Sequence, residues 1–421
     1  MSRTFEATVE ALGSQGDGLA RAADGTRLYI PLALPGERVR VRIRDKRGDG
    51  LLAEMEELLE PAPTRVAPFC PLFGSCGGCA LQHADAASHA AWKVQQVTEA
   101  LAHRGIEATV AAPVMVPPGR RRRATFSVMR LQAGVVLGFS ERLGRRVVDV
   151  RRCPLLLPAL DDRLPALREA LAGVLRQGER GTLRLTLAAE GLDLVLGLAR
   201  RPGPEEGLRL AALEGVGRVS WQKSEAEPAE LLAQRRRLHI TLSGIAVELP
   251  PGGFLQPSAE GEAVLVGLVR EALGRPKRVL DLYAGLGTFG LALAGDGLSV
   301  QAEEGNAAAV DALRQAAGRA GLGGRLAAEV RDLDRRPLAD AELKAFDAAI
   351  FDPPRAGARF QAAALARSPS IRRIAAVSCN PATLARDLRL LVDGGFRLLK
   401  VVPVDQFPYA AHVEAVAILA R

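Results

Sequence analysis

The sequence predicts an α/β protein built on a parallel sheet, preceded by a small all-β unit and a mixed α+β segment. Three observations carry this prediction. From about residue 258, mostly apolar strands alternate with helices, the pattern left by crossover connections between parallel strands. Residues 1 to about 58 show period-two alternation broken by glycine turns. Between about 120 and 250, short strand-like stretches are interrupted by a helix expected around 161–176.

A chain of 421 residues can bury two or three cores, and 48% hydrophobic with 25% charged residues is ordinary for a soluble globular protein. The N-terminal MSRTFEATVEALG lacks the apolar centre of a signal peptide, and no run of about 18 apolar residues predicts a membrane span. Five cysteines, an odd and small number, argue for a reducing cytoplasm over a secreted disulfide scaffold. The formal charge of +8 favours a polyanionic partner. It is clustered in Arg120–Arg123, in Arg151 with Arg152, and in Arg235–Arg237. With 4% aromatics, extended base stacking is not expected.

The elements follow in order. Thr4–Val9, Arg27–Ile30 and Val39–Ile43 alternate as strands, separated by turns at Gly16, Gly18 and Gly25. Arg38, Arg40, Arg42 and Arg44 fall on one sheet face. Small barrels of this sort bind oligonucleotides, although a plain barrel with a solvated charged face fits the same pattern. Glu60-Pro61-Ala62-Pro63 reads as a linker, and a helix is predicted from about Ser88 to Arg104. Leu183–Leu187 and Leu192–Leu196 read as strands of the middle segment. The expected division is 1–60, 61–255 and 256–421.

The last segment carries a nucleotide-type cofactor signature. Arg278–Tyr283 is an apolar strand, Ala284–Thr288 a glycine-bearing turn, Phe289–Ala294 the start of a helix, and the next strand ends in Glu303-Glu304. Gly285 and Gly287 are expected to let the backbone approach a ligand, and Glu304 to accept from ribose hydroxyls, at the carboxyl edge where open α/β sheets bind ligands. Gly285-Leu286-Gly287-Thr288-Phe289-Gly290 also matches the dinucleotide fingerprint, which leaves NAD open. Two details favour S-adenosylmethionine. Asp281, four residues before the first glycine, can hold an ammonium group that NAD lacks. Asp352-Pro353-Pro354-Arg355, after the fourth strand, looks like the substrate-facing motif of nucleobase and RNA methyltransferases. Asp332, after the third strand, suits an adenine amino group or a helix cap equally well.

The cysteines divide four to one. Cys70, Cys76 and Cys79 lie close together, and Cys153 stands apart. Four thiols suit one metal site, and their spacing fits tetrahedral zinc or an iron–sulfur cluster. Cys379, in Ser378-Cys379-Asn380-Pro381, follows the apolar strand Ile374–Val377. A strand tip exposes reactive groups, although a buried structural cysteine is the commoner fate. Such a nucleophile needs local activation, because an ordinary thiol is only a few per cent ionised at neutral pH. Glu414 precedes the final apolar strand, Ala415–Leu419; on residues alone it reads as a surface carboxylate.

Together these residues resemble the RNA uracil-5-methyltransferase family over nearly the whole chain. The resemblance implies a class I Rossmann-like S-adenosylmethionine methyltransferase domain, an N-terminal OB-like TRAM barrel, and a central α+β domain with an Fe–S cluster. Gly16-Asp17-Gly18 and Leu34-Pro35-Gly36-Glu37 are similar to the TRAM pattern. Cys70, Cys76, Cys79 and Cys153, with Gln82-His83, match the [4Fe–4S] ligands of the subgroup acting on 23S ribosomal RNA. Because the Cys-x3-Cys-x2-Cys triplet of radical enzymes is absent, the cluster is expected to be structural or RNA-positioning. Gln256, Tyr283, Thr288, Glu304, Asp332 and Asp352 match cofactor contacts, Cys379 the nucleophile, and Glu414 the base that removes the carbon-5 proton.

The sequence departs from the family pattern in three places. Phe254-Leu255-Gln256-Pro257-Ser258 replaces Phe-Phe-Gln-x-Asn, the family's usual aromatic after the first strand is Tyr283 here, a mild change, and Thr288 stands where Asn is frequent. The implied substrate is structured RNA, ribosomal favoured over transfer RNA, with a cytoplasmic monomer as the default. The rival readings are an Fe–S nucleotide-dependent oxidoreductase and a non-catalytic RNA-binding protein.

Overall fold

The computed structural model describes residues 4–144, 146–224 and 227–421. In the N-terminal unit, strands Thr4–Thr8, Arg38–Arg47, Gly50–Glu60, Arg27–Ile30, Gly18–Arg21 and Ala11–Leu12 are neighbours in that order in one sheet. Period-two alternation buries Val39 and Val41 in a small apolar core with Leu28, Ile30 and Ala53. The opposite face carries the arginine stripe, whose charge is met by facing glutamates. Arg38 meets Glu6 and Glu60, Arg40 meets Glu6 and Glu57, Arg42 meets Glu54 and Glu56, and Arg44 meets Glu54. Arg40 and Glu57, like Arg42 and Glu54, are direct cross-strand partners. Each such exposed pair stabilises by only about 0–1 kcal/mol, but together they neutralise the stripe.

The middle sheet has seven strands, in the order Val147–Asp149, Gly134–Ser140, Arg123–Leu131, Arg180–Ala188, Gly191–Gly197, Val216–Gln222 and Glu230–Gln234. The helix expected over 161–176 is shorter. It spans Leu164–Ala172 and stops at the C-cap Gly173. Leu164, Leu167 and Leu171 share its apolar face and pack onto the sheet beside Phe126 and Leu183.

The C-terminal sheet has eight strands. Their order is Leu326–Val330, Ser299–Glu304, Arg278–Leu282, Ala348–Phe351, Arg373–Ser378, Glu414–Ala420, Arg397–Asp405 and Val114–Met115. The first five are parallel, whereas Glu414–Ala420 runs antiparallel to both neighbours. Both faces are covered. Along Ala348–Phe351, Ala348 and Ile350 enter one apolar core while Ala349 and Phe351 enter the other, so the strand reads as a continuous apolar run.

Packing does not follow the expected cuts at 61 and 256. Helix Ala86–Ala102, begun by the Asp85 side chain accepting from Ser88 N–H, lies on helix Pro381–Asp393 and strand Arg397–Asp405. Val114–Met115 adds an edge strand to the C-terminal sheet, and Leu238, Ile240, Leu242 and Val247 share its core. Among the described residues, no helix is long and apolar enough to cross a membrane.

The N-terminal unit is tied to the linker by Glu37, which is fully buried. Its carboxylate accepts from Leu34 N–H (2.7 Å), Ala62 N–H (3.3 Å) and both Arg65 Nε (2.5 Å) and Nη2 (2.8 Å). Burial alone would raise its pKa, but the Arg65 and backbone hydrogen bonds hold it below the usual carboxylate range. Its stabilisation is therefore present above the unfolded-state pKa and is lost as pH falls through the folded one. Glu37→Ala is expected to cost roughly 3 kcal/mol at neutral pH, measured by denaturant unfolding, with the loss shrinking in acid.

Candidate active site

A parallel sheet delivers the carboxyl ends of its strands to one edge, and the candidate residues gather there by topology. Tyr283 follows the strand Arg278–Leu282, Glu304 ends Ser299–Glu304, and Asp332 follows Leu326–Val330. Asp352 follows Ala348–Phe351, and Cys379 follows Arg373–Ser378. Because Glu414–Ala420 is antiparallel, it brings its first residue to the same edge. Ser378 pairs with Ala415, so Cys379 and Glu414 stand one position beyond the last paired residues of adjacent strands.

The glycine turn is built as the sequence suggested, with two differences. Gly285 (φ 55°) faces open space, as a ligand-facing glycine should. Gly287 (φ 92°) is needed for internal packing, since a Cβ there would strike the Leu313 side chain. Glu304 accepts from Gly285 N–H (2.9 Å) and Asn306 N–H (2.8 Å), which fixes its carboxylate beside the turn. Thr288 begins helix Thr288–Gly295, with Gly287 as its N-cap. Tyr283 holds a left-handed φ of 60°, uncommon for a non-glycine residue, and its hydroxyl donates to Asp334 at 3.2 Å. Asp332 accepts from Asp334 N–H and Arg335 N–H at 3.1 Å each, so its side chain already closes the local turn.

Asp281 corrects the sequence reading. It has no exposed surface, so it offers no direct contact to a ligand ammonium in this conformation. Its side chain lies behind the glycine turn, against Gly290, and neither oxygen meets a well-aligned donor. Burial pushes its pKa up to about 8, only partly opposed by Gly290 N–H. It can act on a cationic ligand through its field, from the second layer.

Asp352, half-buried, and Glu414, buried, are close enough for their charges to interact. Burial raises both, and Asp352 further raises Glu414, against partial relief from Arg123 and Arg355. The expected activation of Cys379 is also corrected. Burial first, then Glu414 and Asp352, push its thiol up to about 11, while Arg355 lowers it only in part. Asn380, the neighbour of Cys379, caps helix Pro381–Asp393 and donates to Arg355 C=O at 3.2 Å.

Gln256 lies at the centre of a chain of hydrogen bonds. Its amide donates to Asp352 (3.1 Å), its oxygen accepts from Gln406 (3.1 Å), and its carbonyl accepts from Arg122 Nε (3.0 Å). Sequence reasoning missed Gln406, Arg355 and Arg123. The available signals were a buried Asp405-Gln406 pair ending an apolar strand, and an arginine directly after Asp-Pro-Pro. The arginine run is largely absorbed within the fold. Arg122 pairs with Glu262 (2.7 Å), Arg123 lies over Phe254 (4.2 Å), and Arg121 lies over Phe407 (5.4 Å).

Cys70, Cys76, Cys79 and Cys153 line one cavity of about 380 Å³ with Arg121, Arg142 and Gln82. Among the described residues, no group of three or more His, Cys, Asp or Glu is arranged as a metal-ion site. The donor chemistry still fits a bulky thiolate-ligated group. Gln82 Nε2 donates to Cys79 Sγ (3.2 Å), Gly78 N–H to Cys76 Sγ (3.5 Å), and Arg47, Arg121, Arg142 and Arg152 line the same cavity. Burial pushes Cys79 up to about 12 and also raises Cys76 and Cys153, so they hold protons that a metal would have to displace.

With this geometry in place, the comparisons with known proteins agree. Residues 216–421 match the family model described as tRNA (Uracil-5-)-methyltransferase, and residues 2–55 match the TRAM domain. An uncharacterized RNA methyltransferase of Brucella suis is 41% identical over 422 residues, spanning 100% of this chain and 99% of that protein. The 23S rRNA (uracil(1939)-C(5))-methyltransferase RlmD of Chromohalobacter salexigens is 35% identical, over 98% of this chain and 89% of that protein. The Pyrococcus abyssi tRNA (uracil-54, C5)-methyltransferase, solved with S-adenosyl-L-homocysteine, superposes with a TM-score of 0.74 at 24% identity. That superposition covers 99% of this chain and 100% of that one, and shares the fold. The chain belongs to the RNA uracil-5-methyltransferase family.

Two outcomes are expected. Because the folded pKa of Asp281 is raised, the unliganded fold loses stability as pH rises from the usual carboxylate range through about 8. Asp281→Asn should therefore raise the melting temperature near pH ~9, by about 2–4 °C per kcal/mol relieved, while weakening S-adenosylhomocysteine binding measured by calorimetry. Separately, alkylation of Cys379 by iodoacetamide should speed up as pH rises toward about 11, read as labelled Cys379 by mass spectrometry against time.

Proposed function

We propose that this protein transfers a methyl group from S-adenosylmethionine to carbon 5 of a uridine in 23S ribosomal RNA, through a transient Cys379–uridine adduct. The observation that carries the reading is the adjacency of Cys379 and Glu414 at one sheet edge, with Asp352 as their third partner. Carbon 5 of uracil is a weak nucleophile, so chemistry must begin at carbon 6. The Cys379 proton passes to the Asp352 carboxylate, whose raised pKa suits it to accept one. Sγ bonds to carbon 6, and the ring double-bond pair moves onto O4 as an enolate. The bound donor supplies a sulfonium methyl, which carbon 5 takes as the S–CH3 electron pair stays with the departing sulfur.

Glu414 then removes the carbon-5 proton. The C–H electrons restore the ring double bond, and the C6–S pair returns to Cys379. The balance is one methyl gained and one proton released. Tyr283, the Gly285 turn, Thr288, Glu304 and Asp332 frame the donor, and Gln256 with Gln406 holds Asp352 in place.

The four-cysteine cavity reads as a [4Fe–4S] site. Support comes from an all-thiolate donor set, flanking guanidinium groups, and room beyond one ion. Cys70, Cys76, Cys79 and Cys153 would hold the cluster, which takes no part in the steps above. Ribosomal over transfer RNA is favoured by the 35% identity to the Chromohalobacter enzyme across 98% of this chain.

Mapping 5-methyluridine in total RNA from a deletion strain should show one missing site, restored by the wild-type gene but not by Cys379→Ser. Restoration by that variant at wild-type level would remove the covalent step. Glu414→Gln should slow turnover by roughly 100-fold or more and accumulate protein–RNA adduct on denaturing gels. Protein purified without oxygen should carry iron and sulfide; stoichiometric zinc with neither would remove the cluster.

A further inference from the structure

The loop 406–413 joins the end of strand Arg397–Asp405 to the catalytic edge, and a single buried ammonium grips both of its ends. Lys93, in helix Ala86–Ala102, has no exposed surface. Its Nζ lies 3.0 Å from Asp405 Oδ1 and donates to Ala410 C=O at 2.7 Å and His412 C=O at 2.5 Å. His89, one turn earlier on the helix, faces the other Asp405 oxygen at 3.3 Å.

These contacts flank Glu414 on both sides. Asp405 follows Val404, the cross-strand partner of Glu414, and His412 lies two residues before it. His412 in turn meets Arg355 at 3.0 Å. Further holds converge on the same loop. Ala80 N–H and Leu81 N–H both donate to Tyr409 C=O, Tyr409 adopts a φ of 63°, and its ring stacks on His89 at 5.1 Å. A fully buried lysine is rare because removing an ammonium from water is costly, so a position that keeps one repays a specific contact set.

We propose that Lys93 is the positioning residue for Glu414: by clamping Asp405 and His412 it fixes the carboxylate against the carbon-5 proton. The proposal rests on the reading of Glu414 as the base. Cys379 follows a different strand, with Asn380 capping helix Pro381–Asp393, and the polar contacts of Lys93 go to Asp405, Ala410 and His412 instead. Loss of the clamp therefore acts on proton removal and elimination, and spares thiol addition and methyl transfer.

The test is a single-turnover assay of the full-length protein with total RNA from a deletion strain and methyl-labelled S-adenosylmethionine. It is quenched in detergent to separate labelled adduct from labelled free RNA. Lys93→Met alone strands the Asp405 charge, so the informative variant is Lys93→Met/Asp405→Asn, which removes both charges together. Its folding is checked by circular dichroism and heat melting. Labelled adduct should form at near wild-type rate but release RNA roughly 10- to 100-fold more slowly, as for Glu414→Gln. Asp405→Asn alone, which keeps both carbonyl contacts of Lys93 but removes its counter-charge, should slow release less than the double variant does. Wild-type release by the double variant, or equal slowing of adduct formation and release, overturns the role of Lys93 while leaving the base assignment standing. Wild-type release by Glu414→Gln overturns the base assignment, and the role of Lys93 with it.

Discussion

One antiparallel strand brings Glu414 to the sheet edge that carries Cys379. The parallel strands of the C-terminal sheet present only their carboxyl ends at the functional edge, so each offers one residue after its last apolar position. Glu414–Ala420 enters between Arg373–Ser378 and Arg397–Asp405 in the opposite direction and presents its beginning there instead. The register Ser378–Ala415 then sets a thiol beside a carboxylate across a strand pair, with backbone hydrogen bonds fixing the spacing. Slipping that pairing by one residue would turn Glu414 to the other face, since side chains alternate along a strand.

Desolvation sets the electrostatics of that edge. Asp281 and Glu414 are withdrawn from water with incomplete hydrogen bonding, Asp352 is half-buried, and desolvation raises all three. Arg123 and Arg355 offset only part of the negative charge. The unliganded site is thus held at a cost, which a cationic ligand would relieve. Burial first, and then the same negative surroundings, keep the Cys379 thiol protonated, so the setting that suits a sulfonium donor also holds the thiol neutral.

The cysteine loop is a structural junction. Arg142 reaches Cys79 C=O and Ala80 C=O on that loop and also meets Gly16 C=O and Asp17 of the N-terminal unit. Trp92 Nε1 donates to Gly13 C=O at 3.0 Å, and a Cβ on Gly16 would press against Ala80 and Trp92. From the other side, Ala80 N–H and Leu81 N–H hold Tyr409, three residues before His412. The TRAM unit, the four thiols and loop 406–413 therefore share one set of contacts, so order in one is coupled to order in the others.

The sequence by itself determined the parallel-sheet architecture, the glycine turn, the acid ending the second strand, the lone cysteine at a strand tip and the grouping of four others. These are local signals: period, turn chemistry and spacing act over a few residues and survive in one dimension. Only the tertiary structure decided that the arginine stripe is neutralised by facing glutamates and that Asp281 is sealed behind the turn. It also decided that Gly287 serves packing against Leu313, and that Gln406 and Lys93 brace the site. Each of these depends on a partner brought close by the fold from tens to hundreds of residues away. Charge, burial and hydrogen bonding are properties of the assembled neighbourhood, and no short stretch of chain carries them alone.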